Sequence, residues 1–143
     1  MSIADHFSSS FQVIRCDIGE KSESIYELNK WFNISLPIDY VQLLQQMSEI
    51  EINCSNKYIR IWNVQGCIEM NTAYDIQKYI PDSMAIGDDG YCNVFIYANG
   101  SNGFGLYILP LDDIEFDGLI FLAPSISDFF CKNIGVEKFS NVW

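Results

Sequence analysis

An α+β domain is the fold class this sequence predicts, with helices at both ends of the chain around a mainly antiparallel sheet of about five or six strands and packed on one side of it. Three observations predict it. Helical periodicity marks the stretch from Ser24 to Met47 and returns in a final helix after Pro124. Between them the apolar pattern changes to period two. Glycine- and asparagine-rich corners join the strand-like runs as hairpins.

The elements follow in order. Ser24 and Glu27 have the spacing of a capping box, and Ile25, Leu28 and Phe32 then share one helical face. "LPIDYVQLLQQM" (Leu36 to Met47) predicts a second helix: Pro37 suits its first turn, Asp39 complements the dipole, and Tyr40, Leu43, Leu44 and Met47 recur at i, i+3, i+4, i+7. Ile50 and Ile52, then Ile59 and Ile61 alternating with Tyr58, Arg60 and Trp62, predict strands. "NTAYDIQKYIP" is a short helix or turn stopped ahead of Pro81. Met84 to Ile86 approach a Gly87-Asp88-Asp89-Gly90 corner. Val94 to Tyr97 and Gly105 to Leu109 flank the hairpin loop "ANGSNGF", and Leu119 to Ala123 make the last strand. Ser125 and Asp128 form a second capping box ahead of Ile126, Phe129, Phe130 and Ile134 on a final helix.

A chain of 143 residues, 49% hydrophobic and 15% aromatic, fits one domain over 1–143, with residues 1–20 as an N-terminal extension or additional segment. The longest apolar run near the C-terminus, Leu119 to Ala123, is far short of the roughly 20 residues that span a bilayer. The N-terminus lacks the basic-then-apolar order of a signal peptide, so a cytoplasmic protein is expected. Cys16, Cys54, Cys67, Cys92 and Cys131 are odd in number and scattered, which argues against a disulfide framework or zinc site. A net charge of −11 repels nucleic acid and anionic membrane and favours basic partners.

Three stretches, in this order, carry a family resemblance: "LPIDY" (Leu36 to Tyr40), "IPDSMAIGDDGYCNVFIY" (Ile80 to Tyr97) and "IFLAPSISDFF" (Ile120 to Phe130). In order and spacing the chain resembles the SUKH superfamily from about Glu23 onward. The resemblance implies a SUKH-like fold and a binding role, either as a bacterial toxin-immunity protein or as a regulator akin to those of fungal cell-wall glucan synthesis. The chain departs from the family pattern at "MSEIEI" (Met47 to Ile52), where Asn-Gly is frequent, and at "LPLDDIEFDG" (Leu109 to Gly118).

The candidate sites differ in their chemistry. Asp113, Glu115, Asp117 and Gly118 mimic the opening of a calcium loop, but its twelfth position is Pro124 rather than a bidentate Glu. Period two instead sets Asp113, Glu115 and Asp117 on one extended face opposite Ile114 and Phe116. Asp88 and Asp89 have the residue types of an acid/base pair, but turn chemistry accounts for them: glycines make the corner, and the aspartates keep it soluble and available for contact. His6, the single histidine, falls in a terminus expected to fray. "NGSNGFG" (Asn99 to Gly105) lacks the spacing and following helix of a phosphate loop.

The expectation is therefore a non-enzymatic protein with no catalytic residues, metal or cofactor. Its partner is a cognate toxin, basic and nuclease-like, met through Asp88, Asp89, Asp113, Glu115 and Asp117, with Trp62 and Tyr91 as exposed aromatic anchors. The alternatives are a regulatory scaffold of the fungal type and, ranked third, a small hydrolase using the paired aspartates.

Overall fold

A computed structural model describes residues 3–32 and 34–142. Seven antiparallel strands follow one another in space as they do in sequence, an unbroken meander. They are β1 (Gln12–Ile18), β2 (Met47–Cys54), β3 (Lys57–Ile61), β4 (Met84–Asp88), β5 (Asn93–Gly100), β6 (Gly103–Pro110) and β7 (Ile120–Ala123). The helices are α1 (Ser22–Trp31), α2 (Ile38–Gln46), α3 (Val64–Ala73), α4 (Ile76–Tyr79), α5 (Ile126–Lys132) and α6 (Val136–Ser140). The predicted class holds, and the expected five or six strands become seven because β1 arises from the segment read as an extension.

The core sits on β5 and β6, where residues 93–98 and 105–109 are buried without interruption, so both faces of the sheet are covered there. Tyr40 of α2 meets Tyr97 edge to face at 6.3 Å between ring centres, and Phe129 of α5 and Phe139 of α6 pack on Phe95. Tyr40, Leu43, Leu44 and Met47 are all buried, as the i, i+3, i+4, i+7 pattern requires. Asp39 does more than complement a dipole: its Oδ2 accepts from the Ser127 amide in the first turn of α5, 3.0 Å, and its Oδ1 from the Tyr97 hydroxyl, 3.4 Å. One carboxylate thus ties α2, α5 and β5 together.

Several local expectations are corrected. Helix α1 begins at Ser22 rather than being capped by Ser24, and Glu27 pairs with Lys30 one turn on. Helix α2 passes straight into β2 at Met47, so Met47 is the first strand residue. Helix α3, which starts seven residues before the short helix expected at "NTAYDIQKYIP", is capped by Asn63, whose side chain accepts from the Gly66 amide at 2.7 Å. Among the described residues the segment bearing His6, expected to fray, is packed: a short 3-10 turn, Ala4–His6, leads into Phe7, which stacks on Phe130 at 4.7 Å, and Phe11, which meets Phe130 edge to face at 4.9 Å. The Ser125 cap is as predicted, accepting from the Asp128 amide at 3.0 Å, but α5 stops at Lys132 and leaves Ile134 outside. The loop "ANGSNGF" is mostly strand, closing on the two residues Ser101 and Asn102.

A gap in the ladder explains α3. Strand β3 reaches β4 only at Arg60 and Ile61, and beyond that β4 needs other partners for its inner groups. Buried Asn71 of α3 supplies them, its Nδ2 donating to the Ala85 carbonyl (2.8 Å) and its Oδ1 accepting from the Ala85 amide (3.0 Å). An amide side chain imitates the missing strand.

Candidate partner-binding face

The Gly87 to Gly90 corner is built by close approach. A Cβ on Gly87 would lie 2.2 Å from the Arg60 carbonyl oxygen, so only glycine lets β3 and β4 pair there. Gly90 has a φ of +73°, and a Cβ on it would meet the Tyr58 ring at 2.6 Å.

The aspartates are held, not merely displayed. Asp88 Oδ1 accepts from the Gly90 amide at 2.8 Å, while Oδ2 accepts from Trp62 Nε1 at 2.7 Å and Arg60 Nη2 at 3.1 Å. Asp89 Oδ1 accepts from the amides of Tyr91 and Asn93 at 3.0 and 3.1 Å, and Oδ2 from Asn93 Nδ2 at 2.8 Å. Two adjacent carboxylates tie down the corner through six hydrogen bonds. Tyr91, 79% exposed, stands out from it. Trp62, expected as an exposed anchor, is 1% exposed. It does share a face with Tyr58 and Arg60, but the chain turns directly into α3 after it, and a Cβ on Gly66 would lie 3.4 Å from the Trp62 Cβ.

Asp88 ends a row of alternating charge across four strands: Arg15 of β1 lies opposite Glu51 of β2, Glu51 opposite Arg60 of β3, and Arg60 opposite Asp88 of β4. Arg15 Nε stands 3.7 Å from Glu51, and Arg60 also reaches Glu49 at 3.6 Å. Tyr58 donates to Glu51 at 2.8 Å; partial burial, then that carboxylate, pushes its hydroxyl up to about 12.

The acidic run lies beside the corner. Leu111 N donates to the Cys92 carbonyl at 2.7 Å, and partial burial followed by the carboxylates of Asp89 and Asp112 pushes the Cys92 thiol up. Asp113, Glu115 and Asp117 are exposed, but not on one extended face, because Phe116–Gly118 wind into a 3-10 turn and leave Phe116 half exposed. Among the described residues no salt bridge reaches Asp112, Asp113, Glu115 or Asp117. Between this loop and the α3–α4 junction runs an open groove of about 490 Å³, edged by Tyr74, Asp75, Tyr79, Asp112 and Asp113. Asp75 and Asp112 were missed in the sequence. Asp112 was legible as the neighbour of Asp113, whereas only the return of α3 across the sheet brings Asp75 to the same place.

Chemically, this face offers carboxylates in water and tyrosine rings, the groups that receive lysine and arginine side chains. Among the described residues no three His, Cys, Asp or Glu side chains converge as a metal site would require. The SMI1 / KNR4 family (SUKH-1) profile matches residues 19–132, which contain the whole corner, groove and acidic loop. No curated protein matches the chain significantly.

Proposed function

The chain belongs to the SMI1 / KNR4 family (SUKH-1), and from that premise we propose that it is a non-enzymatic immunity protein that neutralises a basic, nuclease-like toxin by covering its active groove. Family membership supports a binding role. The observation that favours a basic target is the exposed carboxylate set Asp112, Asp113, Glu115 and Asp117, which no basic side chain neutralises among the described residues, in a chain of net charge −11. A nuclease must present positive charge to phosphate, and an acidic face competes for it.

In this reading Tyr91 and the groove tyrosines Tyr74 and Tyr79 supply apolar contact, and the loop carboxylates supply steering. Asp88, Asp89 and Trp62 act beneath the surface, holding the corner that presents Tyr91. Regulation of a cellular partner that is not a toxin, the second role the family resemblance implies, uses the same face and is separated from the first by the partner's identity.

The test begins with a pull-down of the product of the neighbouring gene and continues with stopped-flow association. Steering should raise the association rate toward about 10⁸ M⁻¹ s⁻¹ at low salt, against roughly 10⁵ to 10⁶ without it. At about 0.1 M ionic strength screening acts over only around 10 Å, so the rate should fall as salt rises. Asp112→Asn, Asp113→Asn, Glu115→Gln and Asp117→Asn should each slow association more than they speed dissociation. A rate independent of salt and of all four changes places the interface elsewhere.

A further inference from the structure

Strand β1 is the open edge of the sheet, and every residue from Gln12 to Ile18 is exposed. Exposed edges that stay monomeric are usually blunted by like charges, proline, bulges or short length. This one spans seven residues without proline, its two charges, Arg15 and Asp17, are opposite in sign and so attract rather than repel a second copy, and Ile14 is 49% and Ile18 88% exposed. It also precedes the family-matched region, which starts at residue 19.

We propose that β1 is a dimerisation edge that pairs antiparallel with β1 of a second copy, on a two-fold axis through Cys16. The sequence Ile14-Arg15-Cys16-Asp17-Ile18 is self-complementary about its centre. Antiparallel pairing on that axis sets Ile14 opposite Ile18 of the other copy, Arg15 opposite Asp17, and Cys16 opposite itself. The charge row already described stops at this edge on Arg15, whose side chain is 77% exposed. Asp17 of a second copy adds the next negative member, so the alternation runs on from Asp88 through Glu51 and across the axis. The register with β2 shifts at Ile14, between Val13 and Arg15, and again between Arg15 and Asp17, which centres the pairing on Arg15, Cys16 and Asp17. So short an edge contact falls below the roughly 1,200 Å² of stable complexes, and a dissociation constant in the micromolar range or weaker is expected. Strands β2 and β3 separate this edge from β4 and the acidic loops, so the dimer leaves the proposed toxin-binding face open.

Charge exchange on the full chain tests this. Sedimentation up to about 1 mM protein should show a concentration-dependent dimer. Arg15→Asp and Asp17→Arg should each weaken it about tenfold or more, because each sets like charges opposite at both symmetric positions. Mixing the two variants should restore the dimer as a heterodimer, since every pair across the axis is then opposite in charge. Misfolding cannot produce that restoration. With diamide as the two-electron acceptor, the native chain should form a Cys16–Cys16 disulfide dimer that Cys16→Ser abolishes, as opposed residues of antiparallel strands lie about 4.5–5.5 Å apart at Cα, within disulfide range. A monomer at every concentration, a dimer indifferent to both reversals, or a partner protein binding β1 of a monomer overturns the proposal. None of these results bears on whether the acidic face binds a toxin.

Discussion

Asp88→Ala distinguishes a carboxylate that meets a partner from one that holds the fold. Its side chain is only 16% exposed and accepts three hydrogen bonds, from Arg60, Trp62 and Gly90. Removing it strands the indole N–H of a tryptophan that is 1% exposed, which costs about 1–3 kcal/mol by itself. Breaking a fully buried ion pair costs about 3–5 kcal/mol. Arg60 is 39% exposed and keeps Glu49 at 3.6 Å, so its share is smaller. The corner's amide bond to Gly90 adds a turn contribution, and these terms overlap, so a total near 3 kcal/mol is expected.

In a chain of this length that loss lowers Tm by roughly 6–12 °C and shifts the urea midpoint at constant slope. Calorimetry and urea titration measure it, and a double-mutant cycle with Trp62→Phe should give a coupling of about 1 kcal/mol or more, since the two changes remove the same bond. Asp113→Asn in the exposed loop should stay within about 0.5 kcal/mol of wild type. If Asp88→Ala also stays within that range, or couples to Trp62 by nothing measurable, the reasoning about a held corner is wrong.

Leu44, completely buried on α2, should cost about 2–5 kcal/mol when changed to Ala, and an unchanged urea midpoint would show that the helix face is not packed. Alkaline pH should destabilise the protein from about pH 10 upward: Tyr40, Tyr97 and Tyr58 are protonated in both states below that point, but above it only the unfolded chain ionises freely. For Tyr58 the loss is complete as pH passes its folded value of about 12, so Tyr58→Phe should flatten the decline in urea midpoint measured between pH 8 and 11.

What could be read from the sequence was whatever short-range periodicity encodes. Helix α2 showed itself through four apolar residues on one stripe, and the Ser125 cap through its partner three residues on. Strand β1 stayed hidden because none of its residues is buried, so no inward-outward alternation marks it. Helix α3 stayed hidden for a different reason. Gly66 in its first turn reads as a breaker, and one of its key inward residues is the polar Asn71, whose role exists only because β3 ends short of Ala85.

The site was half legible for the same reason. A sequence shows which residues are polar, and polarity near a corner reads as exposure. The Asp88 carboxylate is instead committed to an indole just past the end of β3 and a guanidinium within β3, 26 and 28 positions away in sequence, and no local pattern records such partners. Trp62 was misread by the same step, since strand alternation gives its face but not what covers that face. The residues that stay exposed, Asp113, Glu115, Asp117 and Tyr91, are those whose surroundings are local turns. Within the family-matched region, then, the corner's carboxylates are held by hydrogen bonds and those of the loop beside it are exposed. Substitutions in the corner should act first on stability, and substitutions in the loop should act first on association rate, so the two classes separate when denaturation and binding kinetics are measured on the same variants.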